Sequence, residues 1–306
     1  MIKSIILWFL AILLAPFFSA IILKIKAFFG GKKGPPLFIN YYTLIKLFKK
    51  GSVYSTSTTL MFKLGPIVSL CSAITVLMFL PIGGAQPIFS FSGDILFVLY
   101  IMGLGRFFTI AAAMDTASPF EGMGAAREAY FPIICEAATF MILIFFYRLT
   151  GELQLSAYFT GSHTMGLWQS AGAPLVFIVF AFFIILLTEN SRVPVDDPAT
   201  HLELTMIHEV MVLDHSGPDL ALIELGSFCK LFFYSTLVSR LILPFGAEIT
   251  GLSFGLYILG LVIVYMAIGV TESVMARYRM DKVPQFVLTS FALAFFATII
   301  TMEFIR

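Results

Sequence analysis

Arg106, Glu136, Glu224, Lys230 and Glu272 are ionisable residues set inside, or at the ends of, apolar runs long enough to cross a bilayer. A bare charge at the centre of such a run costs about 2.5 kcal/mol or more, so each must face protein or water. Carboxylates interleaved with fixed cations at that depth can hold, exchange and hand on protons or small cations. Arg106 lies mid-run beside Gly103 and Gly105. Glu136 lies one to two turns into its run, roughly 8 Å deep at about 1.5 Å per residue. Glu224, Lys230 and Arg240 occur at increasing depth along one apolar run and carry both signs across much of the membrane. The bland alternative for Arg106 is a buried ion pair that only fixes helix packing. For Glu136 it is a helix-end carboxylate favoured by the dipole, and for Glu272 a side chain that snorkels to the interface.

A second group of candidates lies between the runs. Asp115, Glu121, Arg127 and Glu128 fall in or beside TASPFEGMGAAREAY (116–130), while Arg192, Asp196, Asp197, His201, Glu203, His208 and Glu209 fall in NSRVPVDDPATHLELTMIHEVMVLDHSG (190–217). Both connections are rich in charge, Gly and Pro, and the second, taken as 190–218, is longer than joining two helices requires, as functional loops are. They are expected to pack together as a docking surface, with the charges of 190–218 forming the mouth of a charge path.

Other chemistries lack their residues. His201, His208, Asp214 and His215 are close in sequence, but their spacing fits no strong zinc pattern. Cys71, Cys135 and Cys229 are dispersed in apolar runs, without the paired spacing of metal or cluster ligation, and read as small buried hydrophobes. No phosphate-binding glycine loop, dinucleotide fingerprint or nucleophile elbow occurs. A net charge of +1 gives no reason to expect a nucleic-acid partner.

The elements that position these residues are transmembrane helices. Of 306 residues, 59% are hydrophobic and 12% charged, against about 25% charged in soluble domains. Spans are expected at 4–23, 59–80, 95–115, 131–149, 172–189, 219–243, 252–275 and 285–305, in a single all-α membrane domain covering 1–306 and solvated by the lipid bilayer. The first run, Ile5 to Leu23, is longer than a signal-peptide core and is kept as a span. The connection 24–58 holds seven lysines up to Lys50, whereas connections 81–94, 150–171 and 244–251 hold no lysine or arginine. By the positive-inside rule the basic connections are cytoplasmic and both termini face outward, as in a bacterial inner-membrane protein. Within 37–50, Leu37, Tyr41, Leu44, Ile45 and Phe48 recur at helical spacing among lysines, which predicts a short amphipathic helix on the cytoplasmic surface.

In RFFTIAAAMDTASPFEGMGAAREAYFPIICE and ESVMARYRMD the chain closely resembles formate hydrogenlyase subunit 4, the membrane subunit of group 4 energy-converting hydrogenases, a family itself related to subunit 1 of respiratory complex I. The resemblance runs through most of the chain. It implies a subunit without redox chemistry of its own. Such a subunit anchors a peripheral arm of hydrogenase-like large and small subunits, stands beside antiporter-like membrane subunits, and couples redox turnover to proton or sodium movement. Nickel–iron and iron–sulfur centres would then lie in partner subunits and no cofactor in this chain. A quinone site near the amphipathic helix follows only by analogy with the complex I relatives, and no residue here demands one.

Residue by residue, the resemblance matches Arg127 and Glu136 to an arginine and glutamate nine apart, and Glu272 and Arg277 to E-N-x-x-A-R. It matches Pro194, Asp196, Pro198 and Glu203 to the loop pattern P-F-D-x-P-E-A-E-x-E-L. Two family glutamates are replaced by Ala199 and His201, and a third by Ser227, with Glu224 and Lys230 about one turn to either side. The implied mechanism begins with turnover in the docked arm, which alters the two charged connections and the proton affinity of Glu203 and Glu136. The change then passes through Arg106, Glu224, Lys230 and Glu272 to neighbouring subunits. A passive scaffold and a free-standing transporter are the competing readings; the transporter predicts inverted repeats, of which the sequence shows none that is convincing.

Overall fold

The computed structural model describes residues 2–159, 161–197, 207–243 and 251–304. Glu203 and His201 lie outside the described residues. The chain runs through α1 (Ile2–Phe29), α2 (Ile39–Phe48), α3 (Leu60–Leu77), α4 (Asp94–Asp115), α5 (Pro119–Thr150), α6 (Leu155–Phe159) and α7 (Gly161–Glu189), then α8 (His208–Met211), α9 (Pro218–Ile242), α10 (Gly251–Val274) and α11 (Val283–Phe304). Eight of these, α1, α3, α4, α5, α7, α9, α10 and α11, are long and apolar enough to cross a membrane. The protein is an all-helical, multi-pass membrane protein.

The central element is α9, whose residues from Leu231 to Leu241 are all buried. Around it, α3 packs on α4 and α9, α1 on α9 and α10, and α11 on α5 and α7. Close approach of α3 and α4 is made by glycine: a Cβ on Gly105 would stand 2.2 Å from Ser72 Oγ, and one on Gly65 2.8 Å from the Ala112 Cβ. Small residues at such crossings bring backbones together where lipid offers no hydrophobic drive. Arg106 follows Gly105 directly, so this crossing also fixes the level at which its guanidinium enters the bundle.

Three elements depart from the sequence expectation. The segment 116–130 is not a loop, because α5 begins at Pro119, whose missing N–H is no loss in a first helical turn. Its charged residues alternate with alanines, strong helix formers, so helix continues some three turns before the apolar run. The helix that carries the fifth span, α7, begins at Gly161, ahead of the expected 172; its membrane-crossing stretch is Gly166–Glu189, and it breaks at Ala171 (φ −137°, ψ 39°). Pro174 explains it, lacking an N–H for the Ser170 carbonyl and clashing with it. In α2 the packed residues are Asn40, Leu44 and Leu47, while Ile45 and Phe48 are exposed. Leu44 and Leu47 meet Ala221 at the start of α9, and Asn40 donates to the Pro16 carbonyl at 2.9 Å.

Candidate functional site: an ion-pair ladder around an internal cavity

Four helices contribute one charged side chain each to a continuous ladder. Arg106 of α4 donates through Nη2 to both oxygens of Glu189 at the end of α7, at 2.9 and 2.7 Å, and through Nη1 to Glu136 of α5 at 3.2 Å. Lys230 of α9 places Nζ 3.1 Å from Glu189 Oε2. The order is therefore Glu136, Arg106, Glu189, Lys230, with signs alternating. Glu189 is nearly buried, whereas the Glu136 side chain retains 47% of its exposure, so the ladder runs from the bundle interior to its outer surface.

A second ladder lies toward α10 and α1. The Glu272 carboxylate is fully buried and held by Lys26 Nζ at 3.1 Å and Arg192 Nη1 at 3.3 Å; Lys26 also stands 3.8 Å from Asp197. Asp196 is the keystone of the adjoining loop, accepting from the backbone N–H of Ile207 (3.0 Å) and His208 (3.2 Å) and pairing with Arg277 at 2.9 Å. A buried ion pair tolerates this environment only when its remaining lone pairs are met, which these backbone donors do for Asp196.

Both ladders border one cavity of about 370 Å³. Lys26, Arg106, Glu189, Arg192, Lys230 and Glu272 line it from the ladders, and Glu128, Asp196, His208, Glu209 and Glu224 complete its charged wall. Among the described residues Glu224 and Glu209 form no ion pair. The cavity wall is mixed, with Leu23, Met102, Ile223, Phe228 and Leu231 beside the charged groups, and the charged part has the carboxylates and hydrogen-bond donors that water needs.

The remaining sequence candidates among the described residues do not line the cavity. Glu121 accepts from the Asp214 N–H at 3.3 Å and from the Thr116 hydroxyl. Gly124 lies against Ile207, Val210 and Met211, so the start of α5 and the end of the 190–218 connection are packed together. Asp115 accepts from Thr59 N–H at 2.5 Å and Thr59 Oγ1 at 2.9 Å, tying the C-terminus of α4 to the N-cap of α3. Arg127 is half-buried on α5 and does not line the cavity. Arg240 lies further along α9, its Nη2 3.3 Å from the Pro81 carbonyl oxygen and its guanidinium over the Tyr257 ring at 5.9 Å. Cys71 is exposed rather than buried, while Cys135 and Cys229 are buried as expected. Among the described residues no three His, Cys, Asp or Glu side chains gather as a metal site.

The residue that joins the first ladder, Glu189, escapes sequence reasoning. It ends an apolar run at LLTEN, where a carboxylate looks like a helix-end group reaching water. Lys26 likewise looks like one more lysine of the basic connection. The one signal available was that Arg106, a mid-span cation, required a buried carboxylate other than the more peripheral Glu136.

The family model described as NADH dehydrogenase matches residues 2–302. Hydrogenase-4 component C of Escherichia coli (strain K12) is 28% identical over 289 residues, spanning 92% of this chain and 90% of that protein. Formate hydrogenlyase subunit 4 of the same strain is 27% identical over 290 residues, spanning 92% of each. A chain in the structure of the membrane-bound sulfane sulfur reductase, an archaeal respiratory membrane complex, superposes with a TM-score of 0.81 over 98% of both chains at 20% identity, which establishes a shared fold.

Proposed function

The chain belongs to the NADH dehydrogenase family, that of complex I subunit 1 and its hydrogenase-complex relatives, and from this premise we propose that it is the membrane anchor and coupling subunit of a multisubunit, hydrogenase-like respiratory complex. In this reading hydrogenase-like large and small subunits dock on the cytoplasmic face at the 116–130 and 190–218 segments, both termini face outward, and the redox centres belong to the docked subunits. The chain's own part is to convert turnover in that arm into movement of protons or sodium ions through neighbouring antiporter-like subunits.

The observation that supports this reading is the alternating ladder Glu136–Arg106–Glu189–Lys230, whose last three members line the cavity. A charge change at one end of such a ladder is felt at the other. Two unit charges about 4 Å apart interact by roughly 4 kcal/mol at an effective dielectric near 20, so neutralising Glu189 weakens its hold on Arg106 and Lys230 together. Released Arg106 then binds Glu136 more tightly, and Glu136 is the member exposed at the outer surface of the bundle. The cavity side of the ladder faces the 190–197 segment and α8, elements of the proposed docking face, through Arg192, Asp196, His208 and Glu209.

A passive scaffold is the competing reading, favoured by the burial of Glu272 between two cations. Glu136→Gln in the complete complex separates the two. Coupling predicts that the complex assembles and turns over while ion translocation per turnover falls. Loss of assembly, or translocation unchanged, supports the scaffold. Mild-detergent purification from the native membrane, with identification of every copurifying chain and of nickel and iron, tests the partners directly.

A further inference from the structure

No acidic residue precedes Asp94 in the chain, while the stretch from Lys24 to Lys50 carries seven lysines. Lys26 turns inward to Glu272 and Asp197. The other six, Lys24, Lys32, Lys33, Lys46, Lys49 and Lys50, are exposed, and none forms an ion pair among the described residues. The geometry gathers them at one end of the bundle. The end of α1 is wound back by Gly31 in the left-handed region (φ 64°), with Lys32 N–H donating to the Ala27 carbonyl at 2.9 Å. Beyond it, α2 lies beside the first turns of α9, where Leu44 and Leu47 pack with Ala221, Leu220, Leu225 and Phe228.

The outward side of α2 is not an ordinary solvated face. Tyr42, Ile45 and Phe48 are exposed there, alternating with Lys46, Lys49 and Lys50, and Phe38 is exposed one turn before them. Phe28, 80% exposed, and Phe29 do the same beside Lys24 and Lys32 at the end of α1. Bulky apolar groups next to unpaired lysines fit the boundary between acyl chains and headgroups. There the rings enter the leaflet and the long lysine stems carry their ammonium groups up to the phosphates. Asn40 on the Pro16 carbonyl sets the depth, because Pro16 lies more than a helical turn inside the point where α1 reaches Lys24.

We propose that the end of α1 and the outward face of α2 form a binding surface for anionic phospholipid headgroups in the leaflet at the basic end of the bundle. Six positive charges with no local counter-charge select net-negative headgroups over zwitterionic ones. Juxtamembrane lysines contribute to such binding separately and in a salt-dependent way. The surface has a structural consequence for the cavity, since Asn40 and Thr43 of α2 line it. Lipid bound outside α2 holds one wall of the cavity in place. This inference is independent of the coupling proposal.

The test is titration of phosphatidylglycerol or phosphatidylcholine into the full chain in a neutral detergent, with bound lipid counted by native mass spectrometry. The wild type binds phosphatidylglycerol more tightly, and raising the salt to screening concentrations abolishes the preference. Lys46→Gln/Lys49→Gln/Lys50→Gln lowers phosphatidylglycerol affinity by at least fivefold, roughly the effect of one surface lysine, and leaves phosphatidylcholine binding unchanged. The corresponding triple arginine variant retains the preference. Equal affinity for the two lipids, or a preference that survives both the glutamine variant and high salt, overturns the proposal. So does protection of these lysines from acetylation by assembly with soluble subunits but not by phosphatidylglycerol, which would make the surface a protein contact.

Discussion

Arg106 and Glu189 meet through a single guanidinium nitrogen, Nη2 lying 2.9 and 2.7 Å from the two carboxylate oxygens, although the two residues are 83 positions apart in the chain. Lys230 approaches the same carboxylate from α9, so removing each partner has unequal consequences. Arg106→Met leaves Glu189 paired with Lys230, whereas Glu189→Met leaves two cations without their shared counter-charge. Breaking a buried pair from one side costs about 3–5 kcal/mol. Both variants therefore lower the unfolding midpoint in detergent, Glu189→Met the more. An Arg106→Met effect equal to or greater than that of Glu189→Met would contradict the shared-carboxylate arrangement.

Glu272 ties α10 to α1 and to the loop after α7. Glu272→Gln removes the charge that holds Arg192, whose carbonyl accepts from the N–H groups of Val195 (2.9 Å) and Asp196 (3.2 Å). Hydrogen exchange at those two amides is expected to speed up by about tenfold or more, equivalent to a loss of ~1.4 kcal/mol locally, with amides of α9 unaffected. Unchanged exchange would mean that Arg192 is held by other contacts.

Gly122 and Gly124 make a matched pair on α5. A Cβ at Gly122 meets nothing within 4 Å, but one at Gly124 would stand 2.3 Å from Val210 Cγ1 and 2.9 Å from the Ile207 carbonyl oxygen. Gly122→Ala should stabilise by up to about 1 kcal/mol through helix propensity. Gly124→Ala should destabilise, because backbone cannot yield as a side chain can, and α8 must move off α5. Limited proteolysis between 198 and 211 reads the second effect.

His215 stacks on Phe62 with ring centroids 4.0 Å apart and an interplanar angle of 11°. Burial holds its pKa below the ordinary histidine value, despite the opposing influence of Asp219 and Asp214. A group whose folded pKa is depressed binds its proton more readily when unfolded, so its stabilising contribution is complete above about pH 6.5 and is lost as pH falls below that value. Thermal stability of the purified chain should decline on acidification through this range. His215→Phe, which keeps the stacked ring and removes the titration, should flatten that part of the curve.

Much of the architecture was legible in the residue order because crossing a bilayer is a local property. About 20 consecutive apolar residues suffice, and all eight spans declare themselves. Arg106, mid-span between Leu104 and Phe107, was equally visible, since desolvating a charge is costly whatever its partner. The first turns of α5 were not, because charged side chains suggest solvent rather than loop or helix, and Ala-rich spacing alone does not reveal that Gly124 will seat α8. In α2 the helix was evident, and of the expected stripe Leu44 packs inward while Ile45 and Phe48 stay exposed; Asn40 and Leu47, which complete the packed side, were not legible because a polar residue and one leucine among lysines carry no periodic signal of their own.

The residues themselves determined that charges enter the membrane and on which helices; only the tertiary structure decided which of them meet. Glu189 and Lys26 each sit at a helix end, where the chain alone allows water as a partner. The crossing of α4 with α3 and the central placement of α9 bring Arg106 and Lys230 to the same carboxylate, and the packing of α1 on α10 brings Lys26 to Glu272. Pairing depends on contacts tens of residues apart in sequence, and the free energy that selects one partner over water arises only once the surrounding helices have excluded it.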